Sequence, residues 1–263
     1  MRSNKAIPEC PAATTAVIAQ YTKALKLPAL ARVYAEVART ARGEGWAYEE
    51  FLRDLLETEF RTRQENTARR RIHEARFPDL KTLDQLDWDA LHGVSRPAVH
   101  ELATCAYLDR GDDIIIAGPI GTGKTHLAIA LGVEAAKRRH RVLFIRAADL
   151  VRSLLEARDD RALTRLHTRY ANTALLIIDE LGFVPFDKAG GELLFNLLSD
   201  RYERRSTLVT TNLSFSEWVQ VFGDEKLTTA LLDRLAHHGH ILTTQGRSYR
   251  TRRKEGKKKP NDT

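Results

Sequence analysis

The sequence predicts an α/β fold: a parallel sheet covered by helices on both faces, preceded by a small all-helical unit. Three observations carry this. Beyond about residue 80, short apolar runs alternate with helix-length segments, the pattern of a parallel sheet whose strands are buried on both sides. Before it, apolar residues recur only at helical spacing. Between Ile114 and Leu131, an apolar run, a glycine-rich loop and a helix follow one another directly, the strand-loop-helix context of a phosphate-binding loop.

Residues 1 to 15 show no periodicity and predict no ordered element. From Ala16, the positions Val17, Ile18, Tyr21, Leu25, Leu27, Leu30, Val33, Tyr34 and Val37 predict two helices, with the break forced by Pro28. After a turn at Arg42-Gly43-Glu44-Gly45, a helix from Tyr48 to about Ala75 gathers Phe51, Leu52, Leu55, Leu56 and Phe60 on one face. Its second half carries Arg61, Arg63, Arg69, Arg70, Arg71 and Arg76 against only Glu65 and Glu74. Arginine without lysine suits bidentate phosphate contacts, although a solvated helical face accounts for the same run. Phe77-Pro78 ends the helix, and the capped segment Thr82 to Trp88 leads into the second domain. The expected division is therefore a helical domain at 1–80 for DNA binding and assembly, a nucleotide domain at 81–246, and a basic tail at 247–263.

Within the nucleotide domain the order is helix Pro97–Leu108, strand Ile114–Ala117, helix Lys124–Lys137, strand Arg141–Ile145, and helices near Ala148–Ala157 and Ala162–Tyr170. Strand Ala174–Ile178, helix Gly190–Arg204, strand Thr207–Thr211, helices Phe215–Phe222 and Leu227–Ala236, and strand Ile241–Thr244 complete it. In such a sheet, ligands gather beyond the C-terminal ends of the strands, which is where candidate residues are sought.

The first strand delivers Gly118-Pro119-Ile120-Gly121-Thr122-Gly123-Lys124-Thr125-His126, matching Gly-x-x-x-x-Gly-Lys-Thr at every fixed position. Gly121 and Gly123 let the backbone approach phosphates closely, and successive N–H groups at the helix start attract anionic oxygens. Lys124 belongs between the β- and γ-phosphates of ATP, and the Thr125 hydroxyl belongs on Mg²⁺. A second apolar strand, Leu175-Leu176-Ile177-Ile178, ends in Asp179-Glu180. Asp179 is placed to hold Mg²⁺ through water and Glu180 to orient or deprotonate the water that attacks the γ-phosphate, which points to hydrolysis. Asn212 ends the next strand and is the candidate sensor of the γ-phosphate. Arg234 stands alone in the apolar run Leu231-Leu232-Asp233-Arg234-Leu235. It fits an arginine finger for a neighbouring subunit, or an internal pair with Asp233 or Glu225. His237-His238-Gly239-His240 lacks the acidic or thiol partners of a metal site and reads as a helix end.

Of the 263 residues, 43% are hydrophobic and 29% charged, and no stretch is apolar enough to span a membrane, so a cytoplasmic protein is expected. Two cysteines, Cys10 and Cys105, are too few for a disulfide framework and read as thiols. The net charge is +7, and the excess between Arg247 and Lys259 is as large as the whole of it. Such a tail suits nucleic-acid backbones through counterion release, or serves only to solubilise.

The phosphate loop, Asp-Glu strand, Asn after the following strand and late Arg, in that order, resemble the AAA+ ATPases. The segments Ala117 to Ala128, Leu176 to Gly182, Leu193-Leu194-Phe195, Arg247-Ser248-Tyr249-Arg250 and Leu25-Lys26-Leu27-Pro28 are similar to those of the IstB family of transposition helpers. The resemblance covers nearly the whole chain. It implies an ATPase using ATP and Mg²⁺ that binds duplex DNA, forms a homo-oligomeric ring or helical assembly around it, and engages an IstA-like partner transposase. The related DnaC helicase loaders share the core, which makes a loader acting on single-stranded DNA the alternative. A kinase and a nucleotide-binding scaffold without turnover are further rivals, the first opposed by Glu180. After Thr244 there is no room for the C-terminal helical lid of broader AAA+ proteins, and Arg250 is the one candidate to replace the lid's sensor arginine.

Overall fold

The computed structural model describes residues 11–237, 239–246 and 248–249. It divides into two compact units, Met1–Thr67 and Ala68–Thr263.

In the first unit, α1 (Ala12–Ala24) begins four residues before the apolar periodicity does, and α2 spans Pro28–Glu44. Pro28 occupies the first turn of α2, where its missing N–H costs nothing, and Gly45 at φ 70° stops the helix in the left-handed conformation. Gly43 lies within α2, so the turn is one residue of special geometry rather than four. The third helix, α3 (Tyr48–Glu74), starts in this unit and supplies Glu59, which is 4% exposed. The Glu59 carboxylate accepts the N–H groups of Ala29 (2.8 Å) and Leu30 (3.0 Å) at the start of α2, and the Arg63 Nε–H at 2.8 Å. A carboxylate at a helix N-terminus satisfies donors that have no partner within the helix. Burial alone would raise the Glu59 pKa, but the Arg63 bond and the two amides hold it below the usual carboxylate value.

The second unit holds a parallel five-stranded sheet in the order β2-β3-β4-β1-β5, formed by β1 (Ile114–Ala117), β2 (Val142–Arg146), β3 (Leu175–Leu181), β4 (Ser206–Thr211) and β5 (His240–Thr243). Successive strand residues point to opposite faces, so each apolar run feeds two cores. Ile114, Ile116, Phe144, Ile177 and Leu208 pack with α4 (Arg96–Ala103) and α6 (Lys124–Lys137). Ile115, Leu143, Leu176, Ile178 and Val209 pack against α7 (Ala147–Asp159), α9 (Lys188–Arg201), α10 (Trp218–Phe222) and α11 (Glu225–His237). Two short helices, α5 (Tyr107–Arg110) and α8 (Leu163–Ala171), complete the layers. The expected helix Pro97–Leu108 is split in two, with Cys105 between the pieces at φ 67°.

The division between units falls within α3, not near Leu80. Strand β2 is an edge strand, and the Phe144 N–H on its open side donates to the Ala75 carbonyl at 2.8 Å. Ala75 is fully buried and Phe77 meets Phe144 edge-on at 6.3 Å. The residues after α3 thus close an edge that would otherwise be left unpaired.

Candidate functional site

Strand β4 lies between β1 and β3, so the ends of these three strands converge. Thr211 pairs in register with Ala117, the residue before the loop, and with Leu181, just beyond Glu180. Asn212 follows Thr211 directly and is partly buried. Sheet order therefore brings together the phosphate loop, the Asp-Glu pair and Asn212, as their sequence positions require.

The loop runs from β1 into α6 with Gly118, Gly121 and Gly123 at φ 142°, 81° and 98°, a region that favours glycine. Its shape is held from the residue just past β5: the Thr244 hydroxyl meets that of Thr122 at 2.7 Å, and the Thr122 hydroxyl donates to the Pro119 carbonyl at 2.8 Å. The Tyr249 N–H donates to the Gly121 carbonyl at 2.9 Å. A Cβ on Gly121 would collide with Ser248. Lys124 Nζ donates to the carbonyls of Gly118 and Pro119, both at 2.7 Å. Burial lowers its pKa, against the opposing pull of Asp179 and Glu180. The His126 Nε2 lies 3.1 Å from the Thr82 carbonyl, and burial lowers its pKa.

At the end of β3 the register with β4 shifts between Ile178 and Leu181. Asp179 and Glu180 occupy that irregularity, which separates two adjacent carboxylates as bulges do. Asp179 is 3% exposed. It accepts the Thr125 hydroxyl at 3.0 Å and the Thr210 hydroxyl at 2.5 Å. Glu180 takes φ 59°, its N–H donates to the Thr210 hydroxyl at 3.0 Å, and its side chain is half exposed. Arg146, at the end of β2, lies 3.9 Å from the Glu180 carboxylate. Thr125 and Asp179 present only hard oxygen donors within hydrogen-bond reach of each other, a set that fits Mg²⁺. A cleft of about 650 Å³ opens beside the loop, lined by Gly121 to His126, by Leu80, Leu86 and Leu91, and by Tyr249.

Arg234 belongs to another surface. Its guanidinium lies 5.0 Å above the Phe195 ring and donates to the Ser199 hydroxyl, both residues of α9, and no ion pair joins it to Asp233 or Glu225. Several arginines of the basic helix are engaged locally: Arg63 with Glu59, and Arg70 and Arg71 with Glu74. Of the basic tail only Ser248 and Tyr249 are described; Arg247, Arg250 and the rest of it, with Cys10 and His238, lie outside the described residues. Thr210, Thr244 and Arg146 were not singled out from the sequence. For Thr210 the signal was present in Thr-Thr-Asn at a strand end, whereas the other two are joined to the site only through the sheet. Among the described residues, no helix is long and apolar enough to cross a membrane.

The family described as IstB-like ATP binding protein matches residues 20–257. An ATP-binding protein of insertion sequence IS21 from Pseudomonas aeruginosa is 42% identical over 79% of this chain and 78% of its own. One from IS5376 of Geobacillus stearothermophilus is 38% identical over 90% of this chain and 94% of its own. The solved DnaC helicase loader superposes with a TM-score of 0.51 at 22% identity, over 60% of this chain and 98% of that one, a likeness of fold. The chain belongs to the IstB-like family of insertion-sequence ATP-binding proteins.

Proposed function

We propose that this IstB-like chain is a cytoplasmic ATPase that assembles as rings or helices on duplex target DNA and recruits and stimulates an IstA-like transposase. The observation that most supports hydrolysis is the meeting of Lys124, Thr125, Asp179, Glu180 and Asn212 at the ends of three adjacent strands. Loop amides and Lys124 hold the phosphates, and Asn212 hydrogen-bonds the γ-phosphate. Thr125 and Asp179, whose oxygens lie within hydrogen-bond reach of each other, would hold Mg²⁺, which when bound would supply charge neutralisation to the phosphates. Glu180 takes a proton from the attacking water, the new oxygen–phosphorus bond forms as the β–γ bridge breaks, and ADP and phosphate leave. The half-exposed Glu180, with its backbone fixed by Thr210, has the freedom this step needs. Membership of an insertion-sequence family supports the transposition role.

Arg234 completes the γ-phosphate site of a neighbouring subunit, so hydrolysis per subunit rises with protein concentration and with duplex DNA. Arg234→Ala alone should lose about 10³-fold in rate while binding ATP. Mixed with Lys124→Ala, which still offers its own Arg234, it should regain part of that rate. Absence of recovery in co-assembled mixtures would confine Arg234 to its contact with Phe195 and Ser199.

A further inference from the structure

Strand β5 pairs with β1 in parallel, Thr243 opposite Ala117, so the chain leaving β5 runs beside the loop that leaves β1. The loop is held from there at several points. The Thr244 N–H donates to the Ala117 carbonyl at 2.8 Å, and the Thr244 hydroxyl reaches the same carbonyl at 3.1 Å. A Cβ on Gly118 would collide with Thr244, as one on Gly121 would with Ser248, so both glycines serve this close approach. At Thr122 the contact is hydroxyl to hydroxyl, between residues 5% and 1% exposed. The segment is also anchored away from the loop, where the Gln245 N–H donates to the His92 carbonyl at 2.8 Å, next to the cleft residue Leu91. Loss of the Thr244 hydroxyl would still leave Thr122 its bond to Pro119. The pair of hydroxyls therefore bears on the shape of the loop more than on folding.

The cleft changes character away from the loop. Beyond Gly121 to His126 its apolar lining is Leu80, Leu86, Leu91 and the Tyr249 ring, and Leu80 and Tyr249 are 53% and 42% exposed although both line it. Charged groups there are answered within the chain: Lys81 pairs with Asp79 at 3.3 Å, and Asp87 accepts the Ala90 N–H at 3.1 Å. Apolar surface left open beside a phosphate cradle suits the flat, uncharged end of a nucleotide rather than a further phosphate. Tyr249 serves both parts, since its N–H holds Gly121 while its ring lines the cleft.

We propose that Thr244, Ser248 and Tyr249 form a strap that belongs to the nucleotide site: the Thr244 hydroxyl sets the phosphate loop in its binding shape, and the Tyr249 ring is the wall on which the nucleoside rests. The inference rests on the reading of Gly118 to Thr125 as a cradle for the phosphates of ATP. Thr244 is a positioning residue, acting through Thr122 and Ala117, whereas Tyr249 touches the ligand. The two roles separate by ligand. A fault in the loop weakens every polyphosphate alike, while a lost nucleoside wall weakens only a ligand that has a nucleoside.

The experiment uses the full chain with Mg²⁺ and two probes, ATP titrated by calorimetry and inorganic tripolyphosphate measured by its displacement of ATP, with phosphate release followed at saturating ATP. Thr244→Val should raise both dissociation constants by the same factor, about 5- to 10-fold for one hydrogen bond, and leave the saturated rate within about 2-fold. Thr244→Ser should restore both. Tyr249→Ala keeps the N–H to Gly121 and should weaken ATP by about 10-fold, the order for a base stacked on an aromatic ring, while tripolyphosphate binds as before. Tyr249→Phe should match the wild type. Thermal unfolding unchanged from the wild type excludes a folding defect, and the Thr244→Ser and Tyr249→Phe results carry the test where a larger change destabilises the chain. Wild-type affinities in Thr244→Val, or a Tyr249→Ala variant that binds ATP normally or loses both probes equally, overturn the inference and leave the phosphate-loop reading intact. A wild type that binds ATP without releasing phosphate contradicts the hydrolysis reading and leaves the strap in place. A wild type that binds neither probe overturns both.

Discussion

The two ends of the sheet bury polar groups in opposite ways. At the amino-terminal end, Arg201 is fully buried and donates to the carbonyls of Tyr170 (2.6 Å) and Thr173 (2.8 Å), to the Ser206 carbonyl, and to the Thr207 hydroxyl at 3.0 Å. Asp113, beside it, accepts the Thr207 N–H at 2.6 Å. Each donor of that network is matched inside the chain. At the carboxyl end, Asp179 is equally buried, but Glu180 is half exposed and the loop amides face a cleft. Buried charge by itself therefore does not mark a site. What separates the ends is capacity left over for something else: Arg201 and Asp113 have none, whereas Glu180, Asn212 and the loop do.

The largest expected effect of breaking this contrast is on stability. Arg201→Met leaves four acceptors without their donor and Asp113 without its nearby positive charge, and should lower unfolding free energy by about 3–5 kcal/mol, the range for removing one partner of a buried charged network. Denaturant titration checks it. A loss within about 0.5 kcal/mol, the ordinary surface range, would place Arg201 outside any essential network.

A smaller effect concerns pH. Burial pushes the Asp113 carboxyl up to about 7 from 3.8, despite the Thr207 amide and Arg201. The folded chain then holds this proton more tightly than the unfolded one. Its contribution is therefore complete at acid pH and is lost as pH rises towards 7, at up to about 1.36 kcal/mol per pKa unit. Asp113→Asn should remove that slope from a plot of stability against pH. An unaltered slope would mean that Asp113 is ionised in the fold across this range.

Much of the carboxyl end is legible in the sequence because its chemistry is local. Gly118 to Thr125 and Asp179-Glu180 are contiguous, and apolar strands announce where they emerge. The amino-terminal end is not legible: Arg201 sits at the end of an ordinary helix, and while Ser206 and Thr207 follow closely, Tyr170 and Thr173 lie about 30 residues earlier on a segment that no periodicity connects to it. The same holds for the Thr210 hydroxyl on Asp179, for Arg146 beside Glu180, and for Arg234 over Phe195, each a product of strand order or helix packing. The opposite carriage of Asp179 and Glu180 is likewise hidden, since it comes from a register shift and a positive φ. The boundary within α3 escaped because helical periodicity runs unbroken through Ala75, although its last turns serve a strand edge rather than the helical unit.

Glu180→Gln tests the account most directly, with ATP binding and phosphate release measured on the same sample. The substitution keeps the shape and the Thr210 contact to the backbone but removes the proton acceptor. Binding should match the wild type while phosphate release falls by at least about 10²-fold. Release at the wild-type rate, or loss of binding together with release, would contradict the assignment of Glu180 as the group that activates water.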